Sequence, residues 1–326
     1  KQTVYRTGVS SALMEALVQA AHRGKEVTVV VELMARFDEE ANINWAEKLE
    51  HAGAQVVYGV FGLKTHAKLA LLVRREIGAH GRTRLASYAH LGTGNYHPRT
   101  ARLYSDFGLL TADPAICRDV NEVFLHITSL ARAAKLARLQ LAPFTMHRRI
   151  IAAIRRVAKH TREGGRGRIK AKMNALVEEG VIRALYAASQ AGVEIDLIVR
   201  SACALRPGVP GLSENIRVRS ILGRFLEHHR VWSFENGGEP EVWLSSADWM
   251  GRNLFRRVEV AFPVQDASLR KRVIEEGLDV YLRDNCEAWE PQASGEWIKR
   301  HPKRREKAVS AQVLLLERLS ARERSD

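Results

Sequence analysis

Cysteine is scarce: Cys117, Cys203 and Cys286 are the three in 326 residues, far apart and odd in number. Neither a disulfide framework nor a zinc knuckle is expected, and a reducing compartment, the cytoplasm, fits best. Long apolar runs are missing too. The longest, such as 27–31 and 69–73, fall far short of the roughly 20 residues that span a bilayer. No basic-then-apolar leader opens at Lys1, which leaves no signal peptide to expect. Acidic residues are the third deficit, with 37 Asp and Glu against 51 Lys and Arg, for a formal net charge of +14. Such an excess implies a polyanionic partner: nucleic acid, phospholipid head groups or another phosphate polymer. Arginine suits any of these, because its planar fork grips phosphate oxygens in pairs. What is plentiful is apolar residues, at 46%, enough to bury real cores and to exclude wholesale disorder. The length fits two domains of about 100–200 residues each. The chain starts at Lys1 without Met, inside what reads as an ordered region, so a fragment of a longer protein is expected.

An internal repeat organises the chain. Ala16-Leu17-Val18-Gln19-Ala20-Ala21-His22-Arg23-Gly24-Lys25-Glu26 leads into an apolar run at 27–31, and Ala184 to Glu194 leads into a second at 195–199, an offset of 168. Both read as an amphipathic helix, a glycine cap and a short buried strand. Further matches follow in the same order. A helix at 41–52 precedes a strand at 55–58; a strand at 65–73 holds His66-Ala67-Lys68, and one at 85–90 ends in Gly92-Thr93-Gly94-Asn95. In the second half His228-His229-Arg230 opens a strand to Phe234, and one at 241–244 ends in Ser245-Ser246-Ala247-Asp248. Between the halves, 114–141 reads as helix up to Pro143, 146–160 as a basic helix, and 161–168 as a basic glycine loop. That loop is either a solvated linker or a phosphate contact. The domain boundary is expected at 138, giving domains 1–138 and 139–326. The Lys- and Arg-rich tail after Pro291 reads as solvated surface with a last helix at 308–321.

Residues i and i+2 of a strand share a face, so His66 and Lys68 are expected to point together, as are His228 and Arg230. A histidine beside a fixed cation suits phosphorus chemistry. The imidazole attacks phosphorus while the cation offsets charge on the non-bridging oxygens. Asn95 and Asp248, on turns beyond the next strand, are expected to reach the same chemistry from the side. Two matched half-sites would place one histidine on each side of a phosphorus, one as nucleophile and one as acid/base. His90 and His97 bracket the first turn and read as supporting residues; His229 is one residue off the His228 face.

These repeats resemble the phospholipase D superfamily, whose pattern is His-x-Lys-x4-Asp followed by a Gly-Ser-x-Asn-like turn. The Asp position is Val73 in the first half and Glu235 in the second, departures that argue against generic hydrolysis. Longer strings resemble the C-terminal half of long-form polyphosphate kinase. They are Tyr5-Arg6-Thr7, Val29 to Asn42, Gly62 to Lys68, Thr93 to Tyr96, Thr100 to Asp106, Leu226-Glu227-His228, Leu244 to Asn253 and Arg256-Arg257-Val258-Glu259. The resemblance implies an α/β fold of two phospholipase D-like domains, each a mixed sheet flanked by helices, related as internal pseudo-repeats. It also implies reversible transfer of the ATP γ-phosphate to inorganic polyphosphate through a phosphohistidine. His66 falls on the phosphorylated position and His228 on the second essential histidine. Tyr104, Arg200, His228 and Arg257 match nucleotide or phosphate contacts, and Arg6 and Arg36 lie near the Mg²⁺ site. A guanidinium cannot ligate a cation, so those two are expected to hold the oxygens that do. Lys68, Asn95, Arg230 and Asp248 come from the repeat instead.

Mg²⁺ is the implied cofactor, with ATP or ADP as substrate. Inorganic polyphosphate and ATP are the implied partners, with no specific nucleic acid, no transmembrane segment and a homo-oligomer as one arrangement. The cytoplasm is the expected location, with peripheral membrane attachment as the alternative. Two other functions compete: a phosphodiesterase or nuclease with water as acceptor, and a polyanion-binding module without catalysis.

Overall fold

A computed structural model describes residues 1–35, 37–60, 62–77, 81–129 and 135–323. The chain forms two compact units that are not contiguous in sequence. The first comprises Lys1–Arg102, Asp106–Met146 and Arg252–Phe262; the second comprises Leu103–Ser105, His147–Gly251 and Pro263–Asp326.

The first unit is built on a six-stranded mixed sheet, in the order Gln55–Val57, Thr28–Val31, Gln2–Val4, Lys68–Ile77, Thr83–Gly92, Gly108–Thr111. Its first three strands are parallel, with Gln2 opposite Val29 and Thr28 opposite Gln55. The last three are antiparallel. Valine dominates the inner strand because a parallel strand is covered on both faces; Val29, Val30 and Val31 are fully buried. Helices Ala12–His22 and Glu39–His51 supply cover with Met14, Trp45, Ala46 and Leu49, which share one core with Val4, Val29 and Val31. Truncating the fully buried Leu49 to Ala is expected to cost about 2–5 kcal/mol.

The second unit repeats the plan. Gly167–Met173, Glu194–Val199 and Ile216–Ile221 run parallel, and Arg230–Asn236 and Glu241–Ser245 continue the sheet antiparallel. Ala288–Pro291 and Trp297–Lys299 extend it beyond Ile216–Ile221. The expected pseudo-repeat is visible at atomic detail where the leading helices stop. Gly24 follows the first helix at φ +72°, and Gly192 follows Glu179–Gln190 at φ +89°. In both, the next amide bonds back to the last turn: Lys25 N to Ala20 O at 3.0 Å and Val193 N to Ala188 O at 3.1 Å. That closure needs a left-handed residue, which glycine adopts without a Cβ clash.

Several expected boundaries move. The helix foreseen over 114–141 is Pro114–Ser129, and Gln140–Ala142 is a strand. The buried Asp119 carboxylate accepts the amides of Ala137, Arg138 and Leu139, drawing the chain back where helical periodicity suggested continuation. The glycine segment at 161–168 is not a linker. Gly164 and Gly165 close the end of helix Met146–Arg162 onto Thr161 and His160, and Gly167 already begins a strand. A Cβ on Gly165 would collide with the His160 ring, so close packing explains that glycine without invoking a ligand. The last helix is Ala311–Glu323, and part of the tail before it joins the sheet as Trp297–Lys299. Among the described residues no helix is long and apolar enough to cross a membrane.

Candidate active site

The expected strand over 65–73 is two strands with His66 in the break. Lys64–Thr65 pairs in parallel with Arg257–Pro263, and Lys68–Ile77 pairs with Gln2–Val4. The amides of His66 and Ala67 both donate to Val258 O at 2.9 Å. Successive amides of a pleated strand point in opposite directions, so this shared acceptor marks the chain turning from one pairing to the other. The Lys68 ammonium donates to the His66 carbonyl.

The imidazole is 7% exposed, and its Nδ1 lies 2.8 Å from Glu259 Oε2. Glu259 is fully buried; its other oxygen accepts from Asn253 Nδ2 at 2.6 Å, with Arg257 Nη1 at 3.9 Å. Tyr5 meets the imidazole edge-on, its centroid 4.7 Å away, with Lys68 Nζ 5.4 Å from the Tyr5 ring centre. Burial holds the imidazole well below its ordinary pKa. Lys68 and Arg257 add to this, against the opposing pull of Glu259. A neutral imidazole facing a carboxylate carries its proton on Nδ1, which leaves the lone pair on Nε2. Around this centre, Arg6 Nε pairs with Asp38 at 3.1 Å and Asp38 also meets His97 Nε2 at 3.5 Å. Arg36 lies outside the described residues. In the turn after Thr83–Gly92, the buried Asn95 Oδ1 has no hydrogen-bond partner among the described residues.

The second unit carries the matching break. Leu226–Glu227 pairs in parallel with Tyr104–Ser105, His228 and His229 follow outside any strand, and Arg230–Asn236 begins next. Arg230 Nη1 donates to the His228 carbonyl at 2.5 Å, as Lys68 does to His66. Its Nε and Nη2 each meet Asp248 at 3.1 Å, and Asp248 accepts from Asn174 N at 2.7 Å. Arg230 is therefore engaged with Asp248 and the His228 carbonyl, and Asp248 with Arg230 and the Asn174 amide, both nearly buried. Tyr104 lies against His228 with ring centres 5.1 Å apart. Arg200 follows strand Glu194–Val199 and donates to Asn174 Oδ1, while its buried Nε has no partner among the described residues. Burial lowers its pKa, and the Arg230 charge adds to that. A desolvated cation short of hydrogen-bond acceptors is suited to an anion.

Sequence reasoning missed Glu259 as a partner of His66, although it closes the string Arg256-Arg257-Val258-Glu259. It stands 193 positions from His66, so no local spacing announces the pair. Also missed was Glu227, directly before His228, which takes the Lys172 ammonium, Gln312 Nε2 at 2.6 Å and Ser105 Oγ at 2.8 Å. Burial alone would raise this carboxyl, but Lys172 and the other partners bring it down to about 2. Among the described residues no group of three or more His, Cys, Asp and Glu is placed to hold a metal ion.

The family models for polyphosphate kinase C-terminal domain 1 and domain 2 match residues 1–133 and 139–312. The polyphosphate kinase of Paraburkholderia phytofirmans is 62% identical over 302 residues, 93% of this chain and 44% of that protein. That of Burkholderia lata is 63% identical over 300 residues, with 92% and 44% covered. The crystal structure of polyphosphate kinase from Porphyromonas gingivalis superposes with a TM-score of 0.89 at 41% identity, over 100% of this chain and 49% of that one. The chain spans less than half the length of the curated relatives it matches, and it belongs to the polyphosphate kinase family.

Proposed function

We propose that this chain carries the phosphoryl-transfer chemistry of an ATP:polyphosphate phosphotransferase, with His66 as the group that is phosphorylated. The observation that carries the reading is the His66–Glu259 pair, a buried imidazole whose Nδ1 lies 2.8 Å from a buried carboxylate oxygen. Nε2 attacks the γ-phosphorus of ATP; the bond from phosphorus to the β–γ bridging oxygen breaks, and ADP leaves with that electron pair. A terminal oxygen of polyphosphate then attacks the phosphohistidine, the N–P bond breaks, and the imidazole regains its lone pair. Each step is reversible, so polyphosphate and ADP can return ATP. Mg²⁺, if bound to the phosphates, would supply further charge neutralisation beside Arg6 and Arg36.

Tyr104 and Arg200 are read as nucleotide contacts, and His228 as a group that exchanges an acid/base proton. Arg257, Arg6 and Arg36 hold phosphate oxygens, and the Asn95 side-chain amide donates to a phosphate oxygen of the acceptor. Lys68, Arg230 and Asp248 serve mainly by fixing the two histidine backbones. The sequence halves 1–138 and 139–326 are the two duplicated domains in this reading.

Intact-protein mass spectrometry after incubation with Mg·ATP, and separately with long-chain polyphosphate, tests the proposal. One acid-labile, alkali-stable phosphoryl group is expected, absent in His66→Ala. Undiminished labelling of His66→Ala would sink the assignment. Hydrolysis of a generic phosphodiester without labelling would favour the hydrolase reading.

A further inference from the structure

Many arginines of the second unit have their charge met by a carboxylate. Arg149 and Arg156 share Glu241 at 2.7 and 2.6 Å, Arg168 and Arg217 share Asp196, and Arg219 meets Glu290. The surface between two of its helices departs from that pattern. A groove of about 860 Å³ runs between Met146–Arg162 and Glu179–Gln190, and its charged walls are Arg155, Lys159, Arg162 and Arg183 against the single carboxylate of Glu163.

The three cations of the first helix stand at i, i+4 and i+7, which is one stripe along its length. Neither Arg155 nor Arg162 has a carboxylate partner among the described residues; Arg162 Nε turns to the Ala158 carbonyl at 3.3 Å. Lys159 and Arg183 make only exposed pairs within their own helices, with Glu163 at 3.7 Å and Glu179 at 2.6 Å. Such pairs are weak and readily exchanged for a better anion. The rest of the lining is Ile151, Ala158, Gly180, Ala184 and Ala187, small apart from the isoleucine. Small side chains there leave room for a thin, unbranched ligand and offer nothing that would read a base or a sugar.

We propose that this groove binds a linear inorganic polyphosphate, as a second site along the chain that holds substrate away from the reacting end. The choice of ligand rests on the proposed function; the shape and charge do not. A row of cations over a narrow apolar floor fits a polymer with a charge on every unit better than it fits nucleic acid, whose bases would lie unsupported.

Equilibrium binding of long-chain polyphosphate tests this in the His66→Ala background, where no turnover occurs. Arg155→Glu/Arg162→Glu is expected to weaken binding roughly tenfold, because two exposed attractions become repulsions. Tripolyphosphate, which meets fewer cations of the stripe, should bind the parent more weakly and lose less in the variant. A charge-matched control, Arg23→Glu/Arg75→Glu, reverses exposed cations of the first unit and should leave long-chain binding within about twofold. Equal losses of affinity in the two double variants would reduce the effect to net charge and overturn the site. So would a groove variant that lost affinity for duplex DNA or anionic vesicles and kept it for polyphosphate. Phosphohistidine labelling of the groove variant with His66 intact is a separate readout. Failure there in the parent chain would count against the proposed function and leave the binding result standing.

Discussion

An imidazole that is 7% exposed, with Nδ1 2.8 Å from a carboxylate itself shut off from solvent, has little choice in how it carries its proton. Glu259→Gln keeps the shape and removes the charge, so the Nδ1 proton is no longer held by an anion. The labelling rate of His66 is expected to fall about 10²-fold or more, while long-chain polyphosphate binding stays unchanged; quench-flow with mass detection separates the two. The pH dependence follows from the direction of the His66 shift. The folded imidazole stays neutral where an unfolded one, with a pKa near 6.5, takes up a proton. The unfolded state therefore binds more protons below that pH, and stability is lost as pH falls through 6.5, by at most about 1.4 kcal/mol per pH unit from this group. His66→Asn should flatten that part of the urea-unfolding profile. Labelling by the parent chain should show no inflection near 6.5 attributable to His66. The sequence displayed the histidine proposed here as nucleophile plainly, as His-x-Lys in a repeat. It displayed Val73 where a carboxylate was missing, but nothing in the spacing said that Glu259 fills the need.

Helix–glycine–strand units were legible because they are local: the periodicity, the glycine and the valine run lie within about five turns of chain. Elements whose role depends on a distant partner were not. The last helix, foreseen at 308–321 at the end of a solvated tail, is Ala311–Glu323, but its anchoring was not foreseen: Gln312 at its start is 5% exposed and faces the segment leading into His228. Its amide accepts from Phe225 N at 2.9 Å and donates to Phe225 O at 2.8 Å, the pairing of a one-residue strand, and it also reaches Glu227 at 2.6 Å. Asp284 fixes the start of that helix by accepting from Ala311 N at 2.7 Å. Gln312→Ala leaves buried polar groups unsatisfied and should cost about 1–3 kcal/mol, read by urea unfolding. A purely structural role would stop there. A positioning role predicts in addition a slower acid/base step, seen as a changed pH profile of phosphoryl transfer, with Gln312→Glu restoring neither and Gln312→Asn restoring only part.

At the scale of the molecule, the two halves of the sequence are not the two units of the structure. The first unit takes Arg252–Phe262 from the second half, and the second unit takes Leu103–Ser105 from the first. The borrowed segments do the same task in each: Arg257–Pro263 pairs with Lys64–Thr65 before His66, and Tyr104–Ser105 pairs with Leu226–Glu227 before His228. No reading of one repeat reveals this, because a strand exchanged between two similar repeats keeps the same local sequence whichever partner it takes. Its consequence is physical. A fragment of residues 1–138 lacks Val258, the acceptor for both the His66 and Ala67 amides, and lacks Glu259 as well. The amide donors and the imidazole would be left without their buried partners, at about 1–3 kcal/mol for each unsatisfied group. Hydrogen exchange should find the His66 and Ala67 amides unprotected in 1–138 alone, with no labelling from Mg·ATP or polyphosphate. Mixing with 139–326 should restore protection at those two positions first, and labelling with it. Protection of both amides in the isolated fragment would show that the first repeat closes on itself and that the exchange is not what builds the nucleophile's environment.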